Sequence, residues 1–475
     1  MDAKKSSSIK IVFIILSLLL GQRLTFGQEV SGAGVAQQAD EEGPQAEYTS
    51  YIPMVVRDSF VPSSGVLDPS FDGDGIVRSD LSLYDDVGVA VALQPDGKLV
   101  VAGYIQDAYD SQFLLARYQA DGSLDKTFGG GNGWVSLNLS FEDDRLSDVI
   151  LLDDGKLLVA GSSKFSGSKD FFLARYNTDG SLDTSFDGDG WLTTDFEGYS
   201  DAANGLALGP DGKILVAGDS QNANDESFDF ALARYNPDGS LDTNFDNDGW
   251  LTTDFFGQDD YANSLLLQPD GRIVVAGTAT APGNGYDFAL ARYHPDGSLD
   301  TSFSEDGFVA TDLGLGDVIS DILLQPDGKI VAGGGSSYVS APNYSALFAL
   351  ARYNADGSLD TSFGEAGWVT TSFGWFDKGR AVQLQPDGKI LMAGYTEWLV
   401  YASVNLGPSP NARAFALARY NPNGSLDDSF GEAGLVTTDV VPDMSDDVYD
   451  MLLQPDGRIV LLGSVENFVV LVRYK

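Results

Sequence analysis

Seven aspartates recur at one fixed place in this sequence, and carboxylates grouped in space can bind Ca²⁺ or act as general acids and bases. Each stands eleven residues before the glycine of a recurrent turn, at Asp86, Asp144, Asp201, Asp260, Asp317, Asp377 and Asp446. An aspartate in every copy of a repeat also has a structural use, because its side chain can hydrogen-bond the backbone of its own loop. Both interpretations stay open, and calcium is the one cofactor that the pattern allows.

A second repeated constellation pairs an arginine with an aspartate eight residues later, across a Pro-Asp-Gly-type turn. The pairs are Arg117 and Asp125, Arg175 and Asp183, Arg234 and Asp242, Arg292 and Asp300, Arg352 and Asp360, and Arg419 and Asp427. A seventh arginine, Arg473, stands two residues before the last residue, so its partner would be Asp68. Such arginines could bind anions, but opposite charges that face each other across paired strands favour a structural role.

Aromatic residues cluster in three variable segments that we expect to be neighbouring loops, at 336–346, 372–378 and 395–414. The candidates for ligand binding there are Tyr338, Tyr344, Trp375, Phe376, Trp398 and Tyr401. Exposed aromatic rings suit the binding of sugars, peptides or proteins. The alternative is that these rings pack beneath their own loops.

Composition excludes several kinds of chemistry. The chain has no cysteine and a single histidine, His294, so thiol nucleophiles, Cys/His zinc sites and almost every histidine-based triad are absent. The formal net charge is -42, which would repel nucleic acids and anionic membranes. We therefore expect no nucleic-acid partner, no catalytic residue of these kinds, and a monomer.

The elements that must position these residues are written in seven copies. Turn glycines at 97, 155, 212, 271, 328, 388 and 457 mark a repeat of about 60 residues, illustrated by NSLLLQ, RIVVAG, FALARY and SLDTSF. Short runs rich in Val, Leu and Ile, separated by Pro, Asp and Gly, are typical of strands joined by tight turns. We name the four predicted antiparallel strands of each copy A, B, C and D.

Strands A and B are apolar on both faces, which indicates that both sides of each sheet are covered. Stacked four-stranded blades achieve this, so the pattern predicts an all-β, seven-bladed β-propeller; an open solenoid of hairpins is the alternative. The first copy begins with a lone D segment at 66–71 and the last ends with a lone C segment at 468–474. We expect these two segments to pair and close the ring, which would remove an exposed sheet edge.

The N-terminal region has the pattern of an export signal. Three lysines precede the apolar run 11–20, and small residues follow before Gln28. Residues 1–27 are therefore predicted to be a signal peptide, 28–64 a flexible linker and 65–475 the propeller. Ten apolar residues are too few to span a bilayer, although an uncleaved anchor is the alternative. A secreted or cell-surface protein, not inserted in the membrane after cleavage, is expected.

The phrases LQPDGKILVAG, FALARYNPDGSLDTSFG and GWVTTDF resemble the delta-60 repeats of secreted bacterial proteins. The resemblance covers about 65–475, with local departures such as LDDGK (152–156) and NPNG (421–424). It implies a propeller-like repeat domain in an exported protein, and it carries no catalytic residues over.

Connections between strands locate the surface where function is expected. The A-to-B and C-to-D turns, at one end of each blade, are nearly identical, whereas the B-to-C and D-to-A connections vary in length and composition. We call the second end the variable face. The leading hypothesis is a non-enzymatic scaffold that binds a protein or carbohydrate there, especially through the fifth and sixth copies. Strand A should be the innermost strand, so the seven repeated aspartates at its start would surround the mouth of a central channel. The alternative is therefore a hydrolase or lyase that uses these channel-mouth carboxylates, with or without calcium.

Overall fold

The computed structural model describes residues 64–475 except 108, 140–141, 165–166, 197–198, 284, 341–342, 375, 401–408 and 442–443. The predicted signal peptide and nearly all of the predicted linker lie outside these residues. Within the described part, no helix has the length and apolar character needed to cross a membrane. Among the described residues, the one helical element is a 3-10 turn at Gly129–Gly131, and the rest is strand, turn or irregular backbone.

The described strands follow the repeat, with A, B, C and D in chain order. The A strands are β2 (Asp85–Leu93), β6 (Asp144–Leu151), β10 (Asp201–Leu208), β14 (Asp260–Leu267), β18 (Gly316–Leu324), β22 (Phe376–Leu384) and β26 (Asp446–Leu453). The B strands are β3 (Leu99–Gln106), β7 (Leu157–Ser163), β11 (Ile214–Gln221), β15 (Ile273–Ala281), β19 (Ile330–Ser340), β23 (Ile390–Val400) and β27 (Ile459–Val465). The C strands are β4 (Ser111–Tyr118), β8 (Asp170–Tyr176), β12 (Phe228–Tyr235), β16 (Gly285–Tyr293), β20 (Asn343–Tyr353), β24 (Ser409–Tyr420) and β28 (Phe468–Tyr474). The D strands are β1 (Ile76–Ser79), β5 (Trp134–Leu137), β9 (Trp191–Thr194), β13 (Trp250–Thr253), β17 (Phe308–Thr311), β21 (Trp368–Thr371) and β25 (Leu435–Thr438).

Antiparallel pairing in the order A-B-C-D builds each unit. Four sheets contain four strands each, and a twelve-stranded sheet joins three further units through the parallel bridges Tyr286–Gly316 and Ala346–Phe376. The C strand β28 pairs with β1, whose register matches Ile76 to Val472. The A strand of each unit lies beside that of the next, and β26 lies beside β2.

The prediction that residues 66–71 form strand D was wrong. The strand that pairs along β28 is β1 at Ile76–Ser79. The expected pairing of segment 66–71 with the C-terminal strand is confirmed only at one antiparallel bridge, between Leu67 and Tyr474. The chain bends after this bridge because Asp68 Oδ1 accepts hydrogen bonds from the backbone N–H and hydroxyl of Ser70. An aspartate that bonds its own backbone two residues on favours a turn over an extended strand.

Every A strand carries a β-bulge at or next to its midpoint, opposite a glycine of strand B. In β14 the register shifts between Ala262 and Ser264, which leaves Asn263 unpaired. A Cβ at the facing Gly277 would lie 1.9 Å from the Tyr261 carbonyl oxygen. A bulge turns one side chain away from the normal alternation, and glycine permits the close approach of the two strands.

Apolar side chains from consecutive units share each core cluster. Phe113 of β4 stacks on Phe172 of β8 at a centroid distance of 4.0 Å, and both rings are buried. Leu114 of the first unit likewise packs with Leu471 of β28. Burying one such side chain contributes about 1.5–3 kcal/mol, so the cores lie between sheets and hold neighbouring units together.

Candidate functional site

A cavity of about 410 Å³ is lined by residues from the A strands of all the units described above. Its wall includes the bulge residue of each strand, which the bulge turns inward. These residues are Val89, Ser147, Asn204, Asn263, Ser320, Arg380 and Tyr449. The repeat fixes the position of the bulge but not the identity of its side chain, so the seven bulge positions carry five different residue types. We call this space the axial cavity.

Three carboxyl groups in the axial cavity link neighbouring units. Asp148, Asp321 and Asp450 each follow a bulge residue and accept a backbone N–H of the next A strand, at 2.8 Å from Leu206, 2.9 Å from Val382 and 2.8 Å from Val91 respectively. Removal from bulk water raises the pKa of Asp148 and Asp450 to about 7 and that of Asp321 to about 6. These carboxyl groups therefore change between the protonated and ionised forms near neutral pH.

Two cationic side chains face the same cavity from β22. Among the described residues, neither Lys378 nor Arg380 has a carboxylate within 4.0 Å, and the buried Nε of Arg380 has no hydrogen-bond acceptor. Burial, together with the nearby charges of Arg380 and Arg413, lowers the pKa of Lys378 to about 8. In a chain of net charge -42, these two groups form a local positive site.

An ion-pair network borders this positive site on the variable face. Arg413 donates to Glu397 Oε1 at 2.8 Å and to Asp447 Oδ1 at 2.8 Å, and its guanidinium lies 4.5 Å from the centroid of the Tyr395 ring. Its charge is thus neutralised within the network. Arg380 lies 5.9 Å from the ring centroid of Tyr449, so aromatic faces accompany both arginines.

The seven repeated aspartates do not ring the cavity mouth as the sequence suggested. All seven side chains are buried at the start of their A strands or beside it, and none lines the axial cavity. Each Oδ2 accepts a backbone N–H from the preceding D-to-A loop at 2.6–2.8 Å; the donors are Leu81, Leu139, Phe196, Phe255, Leu313, Phe373 and Val440. The geometry is that of a loop cap, because the carboxylate satisfies backbone donors.

The structure brings the members of every predicted arginine–aspartate pair together. Arginine Nε and aspartate Oδ2 are 2.6–2.9 Å apart in all seven pairs, including Arg473 with Asp68. Each arginine also lies over a phenylalanine ring of its own unit, at centroid distances of 4.4–4.8 Å. Arg117 Nη1 reaches the Thr178 carbonyl of the next unit at 2.6 Å. These guanidinium groups are therefore already engaged in contacts within the fold.

Most of the predicted aromatic patch falls where side chains are not described. Trp375 and Tyr401 lie outside the described residues, and the side chains of Tyr338, Tyr344 and Trp398 do too, although their backbones lie in strands β19, β20 and β23. Phe376 is partly buried at the start of β22. The predicted loops 336–346 and 395–414 are in large part extended hairpins, because β19 with β20 and β23 with β24 continue their pairing past the repeat.

Sequence reasoning missed Lys378, Arg380 and Tyr449. A usable signal existed, since the residue eight places before each turn glycine varies from Val and Ser to Asn, Arg and Tyr, whereas the residue before it is apolar or glycine in every copy. The alternation of residues along strand A does not show where the bulge lies. It therefore does not reveal which side chain faces the axis.

Comparisons with known proteins agree with this repeat architecture. Segments 94–128, 152–186, 209–245, 268–303, 325–363 and 411–430 match a family described as a domain of unknown function (DUF5122) beta-propeller. No curated protein matches the chain in sequence.

Several solved structures are similar at low sequence identity. A catalytically inactive virginiamycin B lyase from Staphylococcus aureus with quinupristin is 10% identical, with a TM-score of 0.43 over 83% of this chain and 98% of that one. Sqt1 of Chaetomium thermophilum bound to the N-terminus of ribosomal protein L10 is 13% identical, with a TM-score of 0.43 over 84% and 98%. An ulvan lyase of polysaccharide lyase family PL25 is 10% identical, with a TM-score of 0.47 over 83% and 96%. Six matches to one repeat family, spread over a chain of four-stranded antiparallel units, support a β-propeller repeat architecture.

Proposed function

We propose that this chain is an exported, closed seven-bladed propeller of delta-60 repeats that binds an anionic group of a carbohydrate or protein at its axial cavity. Binding occurs from the variable face and involves no chemical conversion. The delta-60 assignment rests on the repeated phrases, and the export assignment on the N-terminal lysines and apolar run. Calcium is not required at this cavity.

Strand pairing between the two ends supports the closed ring. Strand β28 hydrogen-bonds to β1, and residues near the chain ends continue the contact, since Lys475 N donates to the Val66 carbonyl at 2.7 Å. A cavity lined by every A strand is the arrangement expected when blades surround a common axis.

The observation that carries the function is the positive site at Lys378 and Arg380. An overall charge of -42 repels anionic ligands, so two cavity-facing cations with no described carboxylate within 4.0 Å serve a local purpose. Ammonium and guanidinium groups bind carboxylates and sulfates through charge-assisted hydrogen bonds. Neighbouring Tyr449 adds an aromatic surface suited to a sugar ring.

Binding of defined oligosaccharides tests this proposal. Calorimetry would compare a glucuronic acid tetramer, a neutral glucose tetramer and an aspartate-rich peptide, using the wild type and the variant Lys378→Met/Arg380→Met. We expect saturable binding of an acidic probe and an affinity loss of at least tenfold in the variant. Lys164→Met, an exposed lysine paired with Glu142, is the matched control and should bind within twofold of wild type. Equal binding of neutral and acidic probes, or an unaffected double variant, would contradict the proposal.

A lyase is the second candidate, and the lowered pKa of Lys378 is the observation that favours it. An amine with a pKa of about 8 is partly deprotonated near neutral pH and can act as a general base. Lys378 would remove the proton from the carbon next to the carboxylate of an acidic sugar, while Arg380 stabilises that carboxylate. The carbon–oxygen bond to the neighbouring sugar would then break, which leaves a double bond on one product and, after the oxygen takes up a proton, a hydroxyl on the other. Formation of unsaturated products, followed by ultraviolet absorbance and abolished in Lys378→Gln, would establish the lyase and exclude a pure binder.

A further inference from the structure

Three groups of aspartates lie at successive junctions between units, outside the axial cavity. One carboxylate oxygen of each member lies within 4.8 Å of an oxygen of both other members. The groups are Asp170, Asp195 and Asp201; Asp229, Asp254 and Asp260; and Asp287, Asp312 and Asp317. We call them the acidic triads. Within each triad the first member is one of the first three residues of a C strand, the second follows the D strand of the same unit, and the third belongs to the A strand of the next unit.

Buried carboxylate oxygens without a hydrogen-bond donor occur in these triads. Asp229 is 3% exposed and Asp287 is 5% exposed, and in both the Oδ1 atom has no partner among the described residues. Neither carboxylate lies within 4.0 Å of a basic side chain of the described part. Asp229 Oδ2 accepts one hydrogen bond, from Asn222 Nδ2 at 3.1 Å. A buried carboxylate oxygen without a donor or counter-ion is nevertheless costly, especially beside two like charges.

The repeat itself shows that the fold does not need this arrangement. At the other junctions the C-strand position is occupied by Gln112, Leu347, Ala414 and Phe468, although the strands pair in the same way. The third triad position is an aspartate at every junction and caps its loop. The first position is therefore acidic only in three consecutive units, where it adds charge rather than a backbone contact common to all units.

We propose that each acidic triad binds one Ca²⁺ ion, giving three ions per chain. Carboxylate oxygens are hard ligands, and Ca²⁺ accepts several of them in irregular geometry, with backbone oxygens or water completing its shell. No histidine or cysteine takes part, which disfavours zinc and other softer metals. The ion joins a C strand of one unit to the A strand of the next, so it fastens consecutive units on the variable face.

Protonation is the competing way to relieve the repulsion. Burial, together with the adjacent charges of Asp312 and Asp317, raises the pKa of Asp287 to about 6. Burial likewise raises the pKa of Asp260 to about 7. Without an ion, the triads would therefore take up protons on acidification.

Calcium titration of the full chain separates these possibilities. Calorimetry with CaCl₂ at pH 7.5 in 0.15 M NaCl would compare the wild type with Asp170→Asn/Asp229→Asn/Asp287→Asn. We expect about three ions per wild-type chain, a higher melting temperature in 1 mM Ca²⁺ than in EDTA, and loss of both effects in the variant. Asparagine keeps the size of each side chain and removes its charge, so the variant should fold and melt in EDTA at or above the wild-type temperature.

A single-site control outside the triads addresses non-specific binding. Asp225 is exposed in the B-to-C connection of the third unit and hydrogen-bonds only its neighbour Ser227, so Asp225→Asn should still bind about three ions. Absence of saturable binding at 1 mM Ca²⁺, or unchanged binding in the triple variant, would overturn the proposal. A wild-type chain that gains more stability on acidification than the triple variant, but none from Ca²⁺, would show that the triads hold protons, which also overturns it.

Discussion

Arg473 Nε lies 2.9 Å from Asp68 Oδ2, although 405 residues separate the two in the chain. Asp68 is fully buried, and Arg458 also approaches its Oδ2 at 3.1 Å. Burial alone would raise the pKa of Asp68, but hydrogen bonds from Ser70 and the charges of Arg473 and Arg458 hold it below its usual value. The pair joins the first described segment to the last strand.

Replacing Asp68 by alanine should destabilise the contact between these segments. The change leaves a buried guanidinium without its carboxylate, at an expected cost of about 3–5 kcal/mol in the free energy of unfolding. Urea denaturation would measure it, with Asp242→Ala as the matched control, since that variant breaks the equivalent pair between residues eight apart. Only Asp68→Ala should also speed amide exchange in β1 and β28. Equal exchange in both variants would argue against a special role for this pair.

Tyrosine hydroxyls at the ends of C strands hydrogen-bond to the D strand of the preceding unit. The chain contains a tyrosine with this partner and one without it, so the two can be compared. Tyr235 donates to Thr194 Oγ1 at 2.8 Å, whereas the residue equivalent to Thr194 near Tyr176 is Leu137. Tyr235→Phe should therefore cost about 1 kcal/mol of unfolding free energy. Tyr176→Phe should cost less than about 0.5 kcal/mol. Equal losses in thermal or urea denaturation would show that the hydroxyl bond contributes nothing measurable.

The strand glycine opposite a bulge should not tolerate a methyl group. Alanine at Gly277 would place its Cβ 1.9 Å from the Tyr261 carbonyl oxygen, whereas alanine at Gly335 meets nothing closer than 3.7 Å. Gly277→Ala is expected to lower the unfolding free energy by about 1–3 kcal/mol through strain. Gly335→Ala, also in a B strand, is the control and should be nearly neutral. Equal melting temperatures for the two variants would show that the bulge yields without cost.

Stability should fall as pH rises toward neutrality because of the cavity carboxyls. The pKa values of Asp148 and Asp450 are about 7, above the ordinary value of 3.8, so the folded chain binds these protons more tightly than the unfolded chain. Their stabilising contribution is complete below about pH 4 and is lost as pH rises through about 7. Asp450→Asn, measured by urea denaturation in EDTA at pH 5 to 8, should show a shallower decline than wild type. Parallel curves would refute the assignment.

Ligand binding should follow the same protonation. Acidification from pH 8 to pH 5 neutralises the cavity carboxyls and protonates Lys378 more fully, so the affinity for an acidic oligosaccharide should rise. Calorimetry at several pH values would measure this rise in affinity. The control variant Lys378→Met/Arg380→Met should lose most of the pH dependence. An affinity independent of pH would place the binding site elsewhere.

Strands A to C and the arginine–aspartate pairs could be predicted because they depend on residues close together in the sequence. Strand D and the cavity residues could not, because they depend on the geometry of the folded sheet. The eight-residue spacing of Arg234 and Asp242 follows from one turn and could be counted along the sequence. Strand D was misplaced because the segment SLDTSF alternates like a strand, yet its aspartate caps a turn, as Asp68 does with Ser70. The cavity residues escaped because Arg380 is the unpaired residue of a bulge between Gly379 and Ala381. Strict two-residue alternation fails at such a point.

The arginine that reaches the next unit has a consequence for how such chains change in length. Arg352 Nη1 donates to the Pro422 carbonyl, and Arg473 Nη1 donates to the Ala120 carbonyl, each at 2.6 Å. The donor arginine and the acceptor turn are both part of the repeated sequence. If a copy were duplicated or deleted, the units on either side of the change would still form this hydrogen bond. Gene duplication could therefore add copies without inventing a new interface, which leaves the inward-facing bulge residues free to diverge.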